Sequence, residues 1–191
     1  QGTGVEKVIT TAKSHQARFW LLPEIGELHK AFDWADQNQA LLSLSELSQR
    51  EHETLTVLQA TIYKAQQNED WDLMKAIIEK LVCLLEKARS DRRFGSVIQI
   101  LVLESLANQE MGNEAAALAA LRSAFQYAMP VGSLRIFVDG TQSLSPLFEE
   151  LAQDQIHVIF LQRILSAIND GRAESKNEKL INFSKNHPTN L

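Results

Sequence analysis

Residues 101–121 read LVLESLANQEMGNEAAALAAL, and the join between the two halves of this stretch decides the fold. Apolar residues recur at helical spacing up to Leu106, pause at Met111-Gly112-Asn113 and resume at Ala115. Glycine reaches the left-handed conformation that ends a helix, and asparagine offers a side-chain oxygen to cap the next. Ala115, Ala116, Ala117, Ala119 and Ala120 then let a second helix lie close against the first. The stretch is predicted to be an antiparallel helix pair. Pro130 closes its second helix, because proline disfavours helical geometry in the residue before it.

The same punctuation occurs twice more toward the N-terminus, at Pro23-Glu24-Ile25-Gly26 and at Asn68-Glu69-Asp70. Helices are expected at about 5–22, 25–40, 50–67, 70–89, 92–111 and 113–128. Gly26, Glu69 and Gly112 stand 43 residues apart. In the same register Ala31, Met74 and Ala117 follow the turn, as do Ala35, Ile78 and Leu121, while Ala17, Ala60 and Leu103 precede it. Compact or apolar residues thus recur where two helices must approach closely. A fixed period of this size marks stacked helix pairs, each covering its neighbour's apolar face. With Glu69 in place of glycine, the second turn is expected to be built differently, with Trp71 packed across it.

Beyond Pro130 the period fades. Leu134-Arg135-Ile136-Phe137-Val138-Asp139 fits either one helical turn or an extended segment. Two further helices are expected at about 144–153 and 155–169, the second with enough apolar surface to cap the open end of the stack. From Gly171 the chain turns polar, and 171–191 reads as a linker or tail. The expected fold is all-α: a tetratricopeptide-like right-handed superhelix of antiparallel helix pairs with a C-terminal capping pair. It occupies 1–170, with units at about 5–40, 50–89 and 92–128 and a joint and cap over 130–169.

Composition agrees with helix and narrows the function. Only 8 Gly and 4 Pro interrupt 191 residues, so little breaks the backbone pattern. The formal charge of -5 argues against gripping a nucleic-acid backbone, which calls for clustered Lys and Arg. Cys83, the single cysteine, lies in Leu81-Val82-Cys83-Leu84-Leu85 and is expected to be a buried apolar thiol. No apolar run reaches membrane-spanning length and no signal-peptide pattern opens the chain, so a cytoplasmic location is expected.

From about residue 15 to 170 the sequence resembles the helical-repeat sensor domain of MalT-like, LuxR-family large ATP-binding transcriptional regulators. The stretch Gly95-Ser96-Val97-Ile98-Gln99-Ile100-Leu101-Val102-Leu103 carries the resemblance, continuing through Gly112 and the alanine-rich helix. So does Val131-Gly132-Ser133-Leu134-Arg135-Ile136-Phe137-Val138-Asp139-Gly140, similar to the family's joint after its last repeat, with Val138 at a position that leans acidic there. Ala17-Arg18-Phe19-Trp20-Leu21-Leu22 resembles the first long helix of a pair. The resemblance implies an ATP-binding domain upstream and a DNA-binding helix-turn-helix downstream. This chain has no GxxxxGK[ST] loop, so no cofactor is expected in it, and ATP and DNA are expected only through those other domains. A start at Gln1 without Met and a polar end fit an excised middle domain.

Catalytic and metal chemistry find little support. His15, His29, His52, His157 and His187 lack zinc-site spacing. Glu51-His52-Glu53 are adjacent and point apart on a helix, so they read as a solvated first turn. Asp70 and Asp72 offset the dipole at a helix start. Arg135 and Asp139 are expected to serve the joint between domains or a ligand contact. With no GxSxG elbow either, no enzyme is expected.

The resemblance also places a concave groove along the first helix of each pair. Through the 43-residue register its lining becomes Lys13, Gln16 and Trp20, then Thr56, Gln59, Tyr63 and Gln66, then Gln99, Val102, Leu106, Gln109 and Glu110. Amides that donate and accept, beside aromatic faces, suit a small polar effector or a peptide. The same residues also suit an ordinary helix face or self-packing. Two functions therefore compete: a domain sensing a small molecule for a regulator, and a scaffold that binds a protein partner or itself. No membrane partner is expected.

Overall fold

A computed structural model describes residues 4–22, 25–42, 50–138, 141–152 and 159–167. The polar segment 171–191, Asp139, and the ends of the last expected helix lie outside the described residues. Among these residues there is no strand. The helices are α1 (Gly4–Trp20), α2 (Leu28–Gln37), α3 (Glu51–Gln67), α4 (Trp71–Ser90), α5 (Phe94–Glu110), α6 (Glu114–Ala128), α7 (Arg135–Val138) and α8 (Thr141–Leu151). A helix over 159–167, here α9, follows. The fold is all-α, built of helix pairs that stack as in tetratricopeptide repeats.

The turns explain the period. At α3's end Asn68 N–H bonds Lys64, Glu69 N–H bonds Gln66, and Asp70 N–H reaches back to the Ala65 carbonyl at 2.9 Å. At α5's end Met111, Gly112 and Asn113 make the same bonds to Ala107, Gln109 and Asn108. This doubly bonded closure satisfies orphan carbonyls and requires a left-handed residue. Gly112 has φ 73°, and Glu69 has φ 54°. The second turn therefore copies the third rather than differing from it. The closure dictates the conformation, and Glu69 carries the strain that glycine would avoid. Trp71, at the first residue of α4, stays 40% exposed. The backbone bonds, not the indole, close that joint. Asp70 caps α4 by accepting from Leu73 N–H at 3.0 Å. Asn113 makes no such side-chain bond to α6, contrary to expectation, and only its backbone is engaged.

Between pairs the closure recurs. Arg93 N–H reaches the Ala88 carbonyl with Arg92 at φ 55°, and Ser133 N–H reaches Ala128 with Gly132 at φ 64°. α2 begins at Leu28, later than expected, because Gly26 is left-handed and Glu27 occupies the cap position. After Gln37 the chain runs on as a 3-10 turn, Gln39–Leu42.

Ala31, Met74 and Ala117, one turn beyond each bend, are fully buried, as is the pair Ala17 and Ala60. α3 is central to the packing. Leu55, Leu58, Ile62 and Ala65 join the large core shared with α4, α5 and α6, while Val57 and Ala60 join a second core with α1 and α2. α5 is buried on nearly all sides from Val97 to Asn108. Ser105 ties it to α6 by donating to the Ala117 carbonyl at 2.9 Å.

Cys83 corrects the expectation of a buried thiol. It is exposed beside Val82, which keeps 42% of its surface in solvent. Five consecutive apolar residues cannot all face inward on a 3.6-residue period, and Leu81, Leu84, Leu85 and Ala88 take the inner face of α4.

The segment after Pro130 resolves to a helical turn, α7. Phe137 is fully buried in a cluster of four rings: it meets Phe125 edge-on at 5.0 Å and Phe160 edge-on at 5.9 Å, and Phe148 lies 6.3 Å from Phe125. These rings fasten α7, α8 and α9 to the end of the stack.

Candidate functional site

The orientation of α1 sets the site. Ser14, Ala17 and Leu21 turn into the protein, and Ser14 satisfies its hydroxyl on the Thr11 carbonyl. His15, Arg18, Phe19 and Leu22, at spacings of three, one and three, form the adjoining stripe. This stripe faces Gln59 of α3 and Arg135 of α7 across a cleft of about 380 Å³. A narrower recess of about 20 Å³ continues inward, sharing Arg18 and Gln59 and reaching Gln99, Val102 and Leu106 of α5 and Ile136 of α7. The Gln99 Nε2 is buried there without an acceptor among the described residues.

The wall behind the cleft is polar. The His15 and His52 rings lie 4.4 Å apart, joining α1 to α3. His52 is held below its ordinary protonation range, first by burial, then by the charges of Arg18 and His15, with Glu53 opposing. Burial works to raise the Glu53 carboxyl. The Thr11 hydroxyl, donating at 2.7 Å, its own backbone N–H, Arg50 and His52 together hold it below its ordinary value. Glu51 pairs with Arg93 at the start of α5. The triplet Glu51-His52-Glu53 is thus not the solvated turn expected of it. Neighbours point apart on a helix, and here each direction meets a different partner on α1 or α5.

The expected groove residues divide. Gln59, Gln99, Val102 and Leu106 line the cleft and its recess. Tyr63 packs between the two cores and hydrogen-bonds Gln59. Burial raises its phenol, helped by Glu110 and opposed by that bond. Gln66 donates to Glu110 Oε2 at 2.6 Å, cross-linking α3 and α5, and Gln109 is half-buried beside them. Thr56 is fully buried and donates to the His52 carbonyl. Lys13 and Gln16 are exposed on the other side of α1, and Trp20 packs toward α2 with Lys30 above its ring. The register slips on α1 for a structural reason. α3 and α5 end two residues before Glu69 and Gly112, whereas α1 ends six before Gly26. Arg135 lies in the cleft itself, while Asp139 lies outside the described residues.

His15, Arg18 and Phe19 were not among the expected groove residues. Their helical spacing beside the buried stripe was the available signal. Among the described residues, no group of three or more His, Cys, Asp or Glu converges as a metal site.

Comparison with known families adds one decisive match: the model of the MalT-like TPR region matches residues 3–154. The chain belongs to that family. The match spans α1 through α8, so the cleft lies wholly within this MalT-like TPR region. No curated protein and no solved structure matches the chain. No described helix is long and apolar enough to cross a membrane.

Proposed function

We propose that this MalT-like TPR region is the effector-sensing part of a LuxR-family regulator and binds a small signal in the cleft between α1, α3 and α7. One observation carries the reading. The cleft is walled at one side by the first helix and at the other by the joint after the last repeat, so one occupant touches both ends of the stack. Its volume of about 380 Å³ suits a small molecule. Gln59 and Gln99 supply amides, and Phe19, Leu21 and Leu22 supply apolar area. A ligand favouring the arrangement in which α7 closes on α1 would shift the balance between two states, and such a shift is what a relay to other domains requires. ATP and DNA would be handled by those other domains.

Thermal melting against a panel of sugars and central metabolites at millimolar concentration tests the proposal. A saturable rise in Tm for one compound, lost in Gln59→Ala, is expected. A flat response across the panel counts against it.

A second reading has its own observation. Val8 and Ile9 on α1 are 69% and 49% exposed, and Phe19 is 53% exposed. An apolar stripe of this kind suits a protein partner or a second copy. Light scattering across a concentration range separates the two: a mass that rises with concentration and ignores the panel favours the scaffold.

A further inference from the structure

α5 begins and α6 ends at one edge of the stack, opposite the Met111-Gly112-Asn113 turn that joins them. Apolar side chains stand open to solvent there. Phe94, the first residue of α5, is 51% exposed and stacks on Tyr127 near the end of α6, with ring centroids 5.8 Å apart. Tyr127 packs in turn against the main core, so the pair of rings is anchored from below. Met129 and Val131 extend the patch along the 3-10 turn that follows, with Val131 69% exposed.

Charge is unevenly divided along these helices. α5 has no acidic residue before Glu104 and α6 has none after Glu114, so their carboxylates lie away from this edge. In the loop that enters α5, Asp91 is held by Lys87 and Arg93, and Glu51 of α3 is held by Arg93. Arg92 beside them is exposed, with no side-chain partner among the described residues. Aromatic and aliphatic area thus adjoins an uncompensated guanidinium, in a chain whose formal charge is -5.

We propose that this edge is a docking surface for a short acidic segment of a partner protein, one that carries an aromatic or aliphatic anchor. Phe94, Tyr127, Met129 and Val131 receive the anchor, and Arg92 receives a carboxylate. Aromatic residues and arginine are the types that carry binding energy at protein interfaces. Charge selects the occupant. An anionic membrane is an extended surface and repels a chain of net charge -5, while a second copy related by a two-fold axis brings a like patch and the same net charge against itself. A short acidic segment meets only the local field, because screening confines it to about 8–10 Å. None of these residues lines the cleft between α1, α3 and α7, so this surface is separate from the one assigned to the small signal.

The test uses labelled peptides on the full chain, read by fluorescence anisotropy. The probes are Asp-Glu-Phe-Asp-Glu-Leu-Phe-Asp-Glu, its counterpart with Asn and Gln for the acidic residues, and its counterpart with Gly for Phe and Leu. The first is expected to bind about tenfold more tightly than either counterpart, and more weakly as salt rises. Phe94→Ser and Val131→Ser are each expected to weaken it about tenfold, whereas Ile9→Ser, at an exposed apolar position on α1, leaves it unchanged. Arg92→Gly is expected to remove most of the preference for the acidic probe over the Asn and Gln one. That substitution relieves a left-handed φ of 55°, so its loss of binding is not a loss of structure, and melting curves establish that the two serine variants are folded. Equal binding of the acidic and neutral peptides, or equal weakening by Ile9→Ser, overturns the proposal. So does no binding of any peptide. In that case a mass that rises with concentration and falls back in Phe94→Ser assigns the patch to a second copy, and Phe94-dependent sedimentation with phosphatidylserine vesicles assigns it to a membrane.

Discussion

At the scale of single residues, the turns are where this chain can be made more or less stable. Glu69 and Arg92 hold left-handed φ values of 54° and 55° in closures where Gly112 and Gly132 do the same at less cost. The left-handed region costs a residue with a Cβ about 1–2 kcal/mol, partly offset by the extra freedom glycine has when unfolded. Glu69→Gly and Arg92→Gly are therefore each expected to stabilise by about 0.5–1 kcal/mol in urea unfolding. Gly112→Ala should destabilise by about 1 kcal/mol, and for backbone reasons alone, since a Cβ there meets nothing within 4 Å. Sequence placed the turns at Gly26, Glu69 and Gly112 correctly, because spacing survives substitution. It misjudged Glu69, because composition at one position does not reveal that a closure of backbone bonds imposes the same conformation on any residue. Cys83 shows the complementary error: an apolar run does not say which of its members faces inward.

At the scale of elements, α7 is four residues long and cannot be stable alone. It holds its place through Phe137, clamped edge-on between Phe125 and Phe160. Phe137→Ala is expected to cost about 3–5 kcal/mol in urea unfolding and to release Arg135 from the cleft. The helices were legible because apolar periodicity is long and redundant across α3 to α6. The rotation of α1 was not. Counting from Gly26 pointed to Lys13, Gln16 and Trp20, whereas the longer turn after Trp20 presents His15, Arg18 and Phe19 to the cleft. Gln59 and Gln99 line the cleft and its recess, because α3 and α5 keep the same distance from their turns.

At the scale of the whole molecule, stability should depend on pH through the seam between α1 and α3. His52 sits below its ordinary value of 6.5, so the unfolded chain takes up its proton more readily than the folded one. Stability from this group is intact above 6.5 and is lost as pH falls through that value toward the folded one. Glu53, held below 4.5, adds a second loss at lower pH, as its carboxyl protonates in the folded state. Tm is expected to fall between about pH 7.5 and pH 5.5, and to fall less in His52→Gln. An identical fall in that variant would place the proton uptake elsewhere. The joining of first helix to joint is a property of the assembled stack, which no window of sequence displays, since Arg18 and Arg135 are brought together only by the superhelix between them.

That joining is the central claim, and hydrogen exchange measures it most directly. With the best-binding compound present, amides of residues 15–22 in and after α1, around Gln59 in α3 and at 135–138 in α7 should exchange more slowly together, while the outer helix α4 is unchanged. Protection confined to α1 or to α7 alone, or none in either, would contradict a cleft that links the two ends of the stack.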